Sequence, residues 1–205
     1  VTQTDALVLP VGQFGSATGP LNDPATRFEV RAGDRTVTLH PDRFAIWLSA
    51  HAMPGAPRWT ERALTESLVA GGMPAAPGDL DALYADSLLV QVDPDRAVSF
   101  AAGHRLVPLL LGLGESSDQP GGYALGLLDQ PLVTVAGPMF LLWAWSPVER
   151  DLWSSCQRLA DDIGTGPDTA DAPALTDPEA VLAGVLEGLH GLLSCGAAYL
   201  DRVAS

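Results

Sequence analysis

The side chains that could do chemistry are few and widely spaced. The four histidines stand at 40, 51, 104 and 190. No two of them fall at the H-x-x-x-H spacing that would set two imidazoles on one helix face around a metal ion. The two cysteines, Cys156 and Cys195, lack the C-x-x-C spacing of a zinc or redox pair. No metal and no cofactor is therefore expected. Both cysteines sit among apolar residues, Cys156 between Trp153 and Leu159 and Cys195 shortly after Leu192 and Leu193, which predicts buried thiols rather than nucleophiles. Chain order leaves a pairing of Cys156 with His104 or His190 open, although the local signature of a catalytic cysteine is absent. His51 and His104 fall on or beside apolar helical faces and read as core histidines. His104, next to Arg105, is the one to test for function. The acid pair Asp161 and Asp162 stands at a helix end, as solvated surface does.

Two further stretches invite a chemical reading. "GLGESSDQPGG" (112–122) is similar in composition to a phosphate-cradling loop, but it follows an apolar helical pattern and lacks G-x-G-x-x-G or Gly-Lys-Ser/Thr. It reads as a surface loop, beneath which a small-enzyme site with His104 is one alternative. "MFLLWAWSP", with Trp143, Trp145 and Trp153, reads as core, as a groove or as an oligomer interface; alternate exposure of Trp143 and Trp145 would favour one of the latter two.

The elements that must position these residues follow from periodicity and punctuation. Residues 1–26 carry glycines and prolines and few periodic apolar positions, and read as an irregular arm. "RFEVRAGDRTVTLH" alternates around Ala-Gly-Asp as a hairpin does. In the next segment Pro41 opens a helix with Phe44, Trp47, Leu48 and His51 on one face. "RWTERALTESLVAGG" predicts a second helix with Thr60 as N-cap, Leu64 and Leu68 as its apolar stripe, and Gly71-Gly72 as its end. A third helix, capped by Asp79 and facing Leu80, Leu83 and Tyr84 inward, runs into the strand "LLVQVD" and a "DPD" turn. Residues 95–114 predict an apolar helix that Pro108 kinks or ends. "YALGLL" and "PLVTVAG" suggest a hairpin near 123–136. Ser146-Pro147-Val148-Glu149 has the form of a capping box opening a helix through Ile163. Residues 165–175 read as a linker, and a last helix opens at "TDPEA". Its Gly184, Gly188 and Gly191 suit a close approach to a neighbouring helix. The uncharged run 130–148 is cut by Pro131, Gly137, Pro138 and Pro147, so it reads as a buried strand, a turn and a buried helix rather than a membrane span.

The order hairpin, three helices, strand and turn over residues 27–100 resembles the winged helix-turn-helix superfamily. "LDALYADSLLVQVDPD" is its most specific fragment, with Ser87 where the usual glycine precedes the strand. The resemblance implies an α+β fold, with a winged-helix-like module over 27–100 packed on a mainly helical part over 101–205 that holds the small β-hairpin. No flexible stretch separates the parts near residue 95, so a shared core is expected.

Charge decides between the functions this fold supports. All eleven basic residues are arginine, there is no lysine, and the formal net charge is −14. The bias towards arginine, alanine and glycine is that of a GC-rich genome of the actinobacterial kind. A field of this sign repels nucleic acid and anionic membranes. The recognition helix of a winged helix is the third, and here it carries Asp79, Asp81 and Asp86 and no basic residue. DNA binding is therefore disfavoured; a dimeric transcriptional regulator laying its arginine-bearing hairpin on the phosphates would restore it. The leading expectation is a non-catalytic accessory or interaction protein that binds a protein or peptide and can form a homodimer. Arg27, Arg31 and Arg35 on the hairpin, Arg58 and Arg62 near the second helix, and Trp143 and Trp145 are the candidate partner-binding residues. Arginines on an exposed sheet edge suit an acidic segment added as a strand; solvated surface is the plainer reading. Two cysteines make no disulfide framework, and "VTQTDALVLPVGQFG" lacks the basic and apolar regions of a secretory signal, so a cytoplasmic location is expected.

Overall fold

Near its start the chain forms a strand, β1 (Leu7–Pro10), in which every residue is buried. The apolar run Ala6 to Leu9 does not alternate, as in a strand covered on both faces. This corrects the expectation of an irregular arm over 1–26, for glycine and proline content had outweighed one short apolar run. The computed structural model describes residues 6–20, 23–53, 55–56, 58–73, 75–76, 78–165 and 173–203. The fold is mixed α+β, with seven α-helices and four small sheets among these residues. Contacts divide the chain into two compact units, residues 1–93 with 200–205, and residues 94–199. The boundary thus falls at Asp93, not near residue 100.

In the first unit β1 pairs antiparallel with β5 (Leu89–Val92). On its other side, Val8 N–H donates to the Trp59 carbonyl at 2.9 Å and Leu7 bridges Thr60. A second sheet has the order β2-β3-β4, from β2 (Gln13–Ala17), β3 (Phe28–Ala32) and β4 (Arg35–Leu39). The last two form the expected hairpin, Ala32 facing Arg35. Helix α1 (Pro41–Ser49) turns Ile46 and Trp47 inward and leaves Leu48 55% exposed, so Ile46 takes the core position expected of Leu48. Trp47 also donates its indole N–H to the Val11 carbonyl at 3.0 Å. Helix α2 (Glu61–Ala70) starts where expected. Thr60 accepts from Ala63 N–H, Leu64 and Leu68 are buried, and Gly71 closes the helix. In α3 (Asp79–Ala85) the N-cap is Gly78 in a left-handed conformation, not Asp79; Asp79 instead binds Arg43. Leu83 is buried there, with Leu80 and Tyr84 half-buried.

The strand after α3 pairs with β1, and the "DPD" turn is a 3-10 turn (Pro94–Arg96) leading into a helix. Two residues before β5, Ser87 sits at φ 59°, the left-handed region where a side chain strains the backbone. The position has a glycine's geometry without a glycine.

The C-terminal end closes this unit. Gly12 N–H donates to the Leu200 carbonyl at 2.7 Å. The fully buried Asp201 accepts from Gly33 N–H at 2.6 Å, from its neighbour Arg202 N–H at 3.0 Å and from Arg31 Nη1 at 3.4 Å. One carboxylate therefore ties the β3–β4 turn to the far end of the sequence.

In the second unit, α4 (Ala97–Gly103) ends before Pro108, and His104 already opens strand β6 (His104–Pro108). Strands β7 (Leu111–Glu115), β8 (Gly122–Leu127) and β9 (Gln130–Ala136) form a meander. Its β8–β9 half is the hairpin expected near 123–136. Where one apolar helix was expected over 95–114, there is a short helix followed by two strands. The run is apolar enough for either, and helical periodicity alone does not discriminate. The 130–148 run is a strand and a helix, α5 (Gly137–Trp145), and no helix among the described residues is long and apolar enough to cross a membrane. Helix α6 (Leu152–Gly164) begins later than the supposed capping box. Ser146 Oγ donates to the Trp143 carbonyl at 2.8 Å, while Asp151 caps α6 by accepting from Ser154 N–H at 2.7 Å. A carboxylate makes the same cap as a serine and adds charge complementarity with the helix dipole. The expected linker lies largely outside the described residues; its end, Pro173–Thr176, is a 3-10 turn. Helix α7 (Pro178–Ser194) opens under Asp177, and strand β10 (Ala198–Arg202) forms a two-stranded sheet with β6. Of the three α7 glycines, Gly188 lies where an added Cβ would meet Met139 at 2.7 Å, while Gly184 and Gly191 have nothing within 4 Å.

Two substitutions test these constraints. Asp201→Ala leaves Gly33 N–H without its carboxylate and should cost about 3 kcal/mol of unfolding free energy, read by urea denaturation. Ser87→Gly should stabilise by about 1 kcal/mol by relieving the left-handed strain, seen as a higher melting temperature.

Candidate functional site

Two of the five arginines expected to form one docking surface are committed elsewhere. Arg27 Nη1 donates to the carbonyls of Pro24, Ala25 and Thr26 at 3.2, 2.9 and 2.9 Å. Arg31 reaches the Gly33 carbonyl at 3.1 Å as well as Asp201. Strand β2 covers the outer edge of β3, which leaves β4 as the other edge of that sheet, with Arg35 exposed at its start. Arg58 and Arg62 are exposed on the approach to α2 and in its first turn. Arg35, Arg58 and Arg62 are thus the members of the set that stay available.

The two tryptophans lie in the other unit and differ from each other. Trp143 is buried and donates its indole N–H to the Ala197 carbonyl at 3.1 Å. Trp145 is 38% exposed, with the Arg158 guanidinium 4.3 Å from its ring centroid. The alternation that would favour a groove or interface is present, but Trp143 is held by the core and Trp145 is partly covered by a cation.

The reactive side chains are held in structural roles. Burial, and behind it the Asp151 carboxylate, push the Cys156 thiol up to about 12, so it stays protonated at neutral pH. Burial also raises the Cys195 thiol. His51 Nδ1 lies 3.1 and 3.2 Å from the carbonyls of Trp47 and Leu48, and so carries the proton, with its ring edge-on to Trp47. Burial holds the His51 pKa below the ordinary value despite those two acceptors. His104 stacks on Phe100 at 4.5 Å, with Nδ1 2.8 Å from the Phe100 carbonyl. The supposed phosphate loop starts as strand, with Gly112 and Gly114 in β7, and only 116–121 form the exposed connection to β8. A Cβ at Gly112 would meet the Phe140 ring at 3.1 Å, so that glycine serves packing against α5. Among the described residues no group of His, Cys, Asp or Glu could hold a metal ion.

What the structure does assemble is a cleft in the first unit that sequence reasoning missed. A space of about 290 Å³ opens between α1, the end of α2 and the segment leading into α3. Ala45, Ile46, Leu68 and Met73 supply apolar lining, and Asp42 and Asp79 bring carboxylates to it. The α1 residues recur with helical period, and α2 contributes Leu68 and its terminal turn. Leu48, one turn along from Ala45, is exposed, as are Val69 and Met73. Asp79 Oδ1 accepts from Arg43 Nε at 2.9 Å. Asp42 stands exposed in the first turn of α1 with no hydrogen bond or ion pair among the described residues. In sequence Asp42 reads only as a favourable acid at a helix start; nothing local signals that α2 ends opposite it.

Two measurements test the structural roles. Cys156 should resist iodoacetamide in the native protein at pH 8 and react once urea unfolds it, by mass spectrometry. The neutral His51 ring is favoured by folding, whereas the unfolded imidazole titrates near about 6.5. The unfolded state therefore binds more protons below that pH, so His51 should make stability fall as pH drops from 7.5 to 5. His51→Gln should flatten that slope in urea titrations at the two pH values. Comparison with known proteins leaves the cleft to be read on its own chemistry, for no family model, curated protein or solved structure matches the chain.

Proposed function

We propose that this chain is a non-catalytic accessory or interaction protein whose first unit binds a protein or peptide partner in the α1–α2–α3 cleft. The observation that carries this reading is the cleft itself, an apolar floor of Ala45, Ile46 and Leu68 with the half-exposed Met73 on its wall. Its volume lies at the lower end of the range for small-molecule sites, which suits an inserted side chain better than a large cofactor. The buried, protonated Cys156 and the backbone-bound His51 favour binding over catalysis.

On this reading residues 27–93 are a winged-helix-like module whose helices serve protein contact. The acids of α3 disfavour phosphate, and β5 pairs with β1 where a DNA-binding wing would pair with a second wing strand. The unpaired cysteines fit a reducing compartment such as the cytoplasm. A dimeric DNA-binding regulator is the second reading, kept by the exposure of Arg35, Arg58 and Arg62.

Affinity capture from a native lysate, with and without nuclease, separates the two. Ala45→Arg serves as the comparison because it fills the cleft from a helix position that tolerates arginine. A defined protein that survives nuclease and falls about tenfold with Ala45→Arg, whose fold is checked by circular dichroism, is expected. Equal capture by both proteins removes the cleft from consideration. Nucleic acid retained by the untreated sample puts the regulator first.

A further inference from the structure

We infer that the cleft selects a basic partner: a segment in which a large aliphatic side chain lies next to an arginine or lysine. This inference rests on the docking reading above and adds the chemistry of what docks. The lining brings two carboxylates, Asp42 and Asp79, and no basic side chain. Asp79 is partly neutralised through Oδ1 by Arg43, whereas the Asp42 carboxylate, exposed at the start of α1, has no hydrogen bond or ion pair among the described residues. An aliphatic group seated against Ile46, Leu68 and Met73 leaves the segment's neighbouring residue beside that carboxylate. Met73, 50% exposed and flexible, lets the wall adapt to more than one aliphatic shape.

The charge of the whole molecule acts in the same direction. A chain at −14 draws in a cationic segment and repels an acidic one. The opposite assignment, an acidic segment on the hairpin arginines, loses two of its three contacts because Arg27 and Arg31 are bound to backbone carbonyls and Asp201.

The test is a random-peptide display selection against the full chain, counter-selected with Ala45→Arg, followed by affinity measurement of the enriched peptides. The expected outcome is a set of cleft-dependent peptides with an arginine or lysine beside a leucine, isoleucine, methionine or phenylalanine. Their affinity should fall about three- to fivefold with Asp42→Asn, the size of an exposed ion pair, recover with Asp42→Glu, and weaken as salt is raised. Cleft-dependent peptides without a basic residue, or an affinity indifferent to Asp42→Asn, overturn the charge inference and leave the docking reading standing. A selection that yields no peptide sensitive to Ala45→Arg overturns both.

Discussion

A strand buried on both faces has no solvent to satisfy its backbone, and the first unit is organised by that requirement. Each polar group of β1 that water would have served needs a protein partner. On one edge β5 supplies them, and on the other the Trp59–Thr60 segment does. Just past the strand, the Val11 carbonyl takes the Trp47 indole, which fixes α1, and Val11 N–H reaches the Leu88 carbonyl, which fixes the entry to β5. Because the residue after Trp59 is the N-cap of α2, one buried strand places both helices that wall the cleft. Ile46, Leu64 and Leu68 then pack in the same core as Val8 and Leu89.

Asp201 imposes a comparable constraint from the other end of the chain. A buried carboxylate is costly unless hydrogen-bonded, and here two backbone N–H groups and Arg31 meet it. The same bond that secures the hairpin removes Arg31 from any partner-facing role. Charge in this molecule thus serves two ends: buried or half-buried charges close the fold, and the exposed excess, strongly acidic, sets what approaches it.

The elements with a local signal were legible in the chain. The hairpin at Gly33-Asp34 follows from alternation around a turn dipeptide, α2 from Thr60 and the Leu64–Leu68 spacing, and the β8–β9 pair from two apolar runs across a short turn. Where several structures satisfy one local pattern, the reading failed. "LVLP" and "HRLVPLLLGLG" are apolar runs without a decisive period, and what makes them strands is a partner distant in sequence. Asp151 caps α6 in place of Ser146 because two sites a few residues apart both carry capping side chains, and packing selects between them. The left-handed backbone at Ser87, φ 59°, has no local signal, because serine is not a residue that announces a positive φ.

By itself, the amino-acid sequence determined the mixed α+β class, the acidic field, and the separation of its histidines and cysteines along the chain. Those properties reside in composition and in short-range periodicity, which survive whatever the tertiary arrangement. Only the folded structure decided which arginines are spent and which remain, that Asp42 has no hydrogen bond or ion pair among the described residues, and that α1 and the end of α2 enclose an apolar space. A cleft is a relation between surfaces remote in sequence, and its existence depends on how the helices are held by β1, a strand whose partners lie some fifty and eighty residues away.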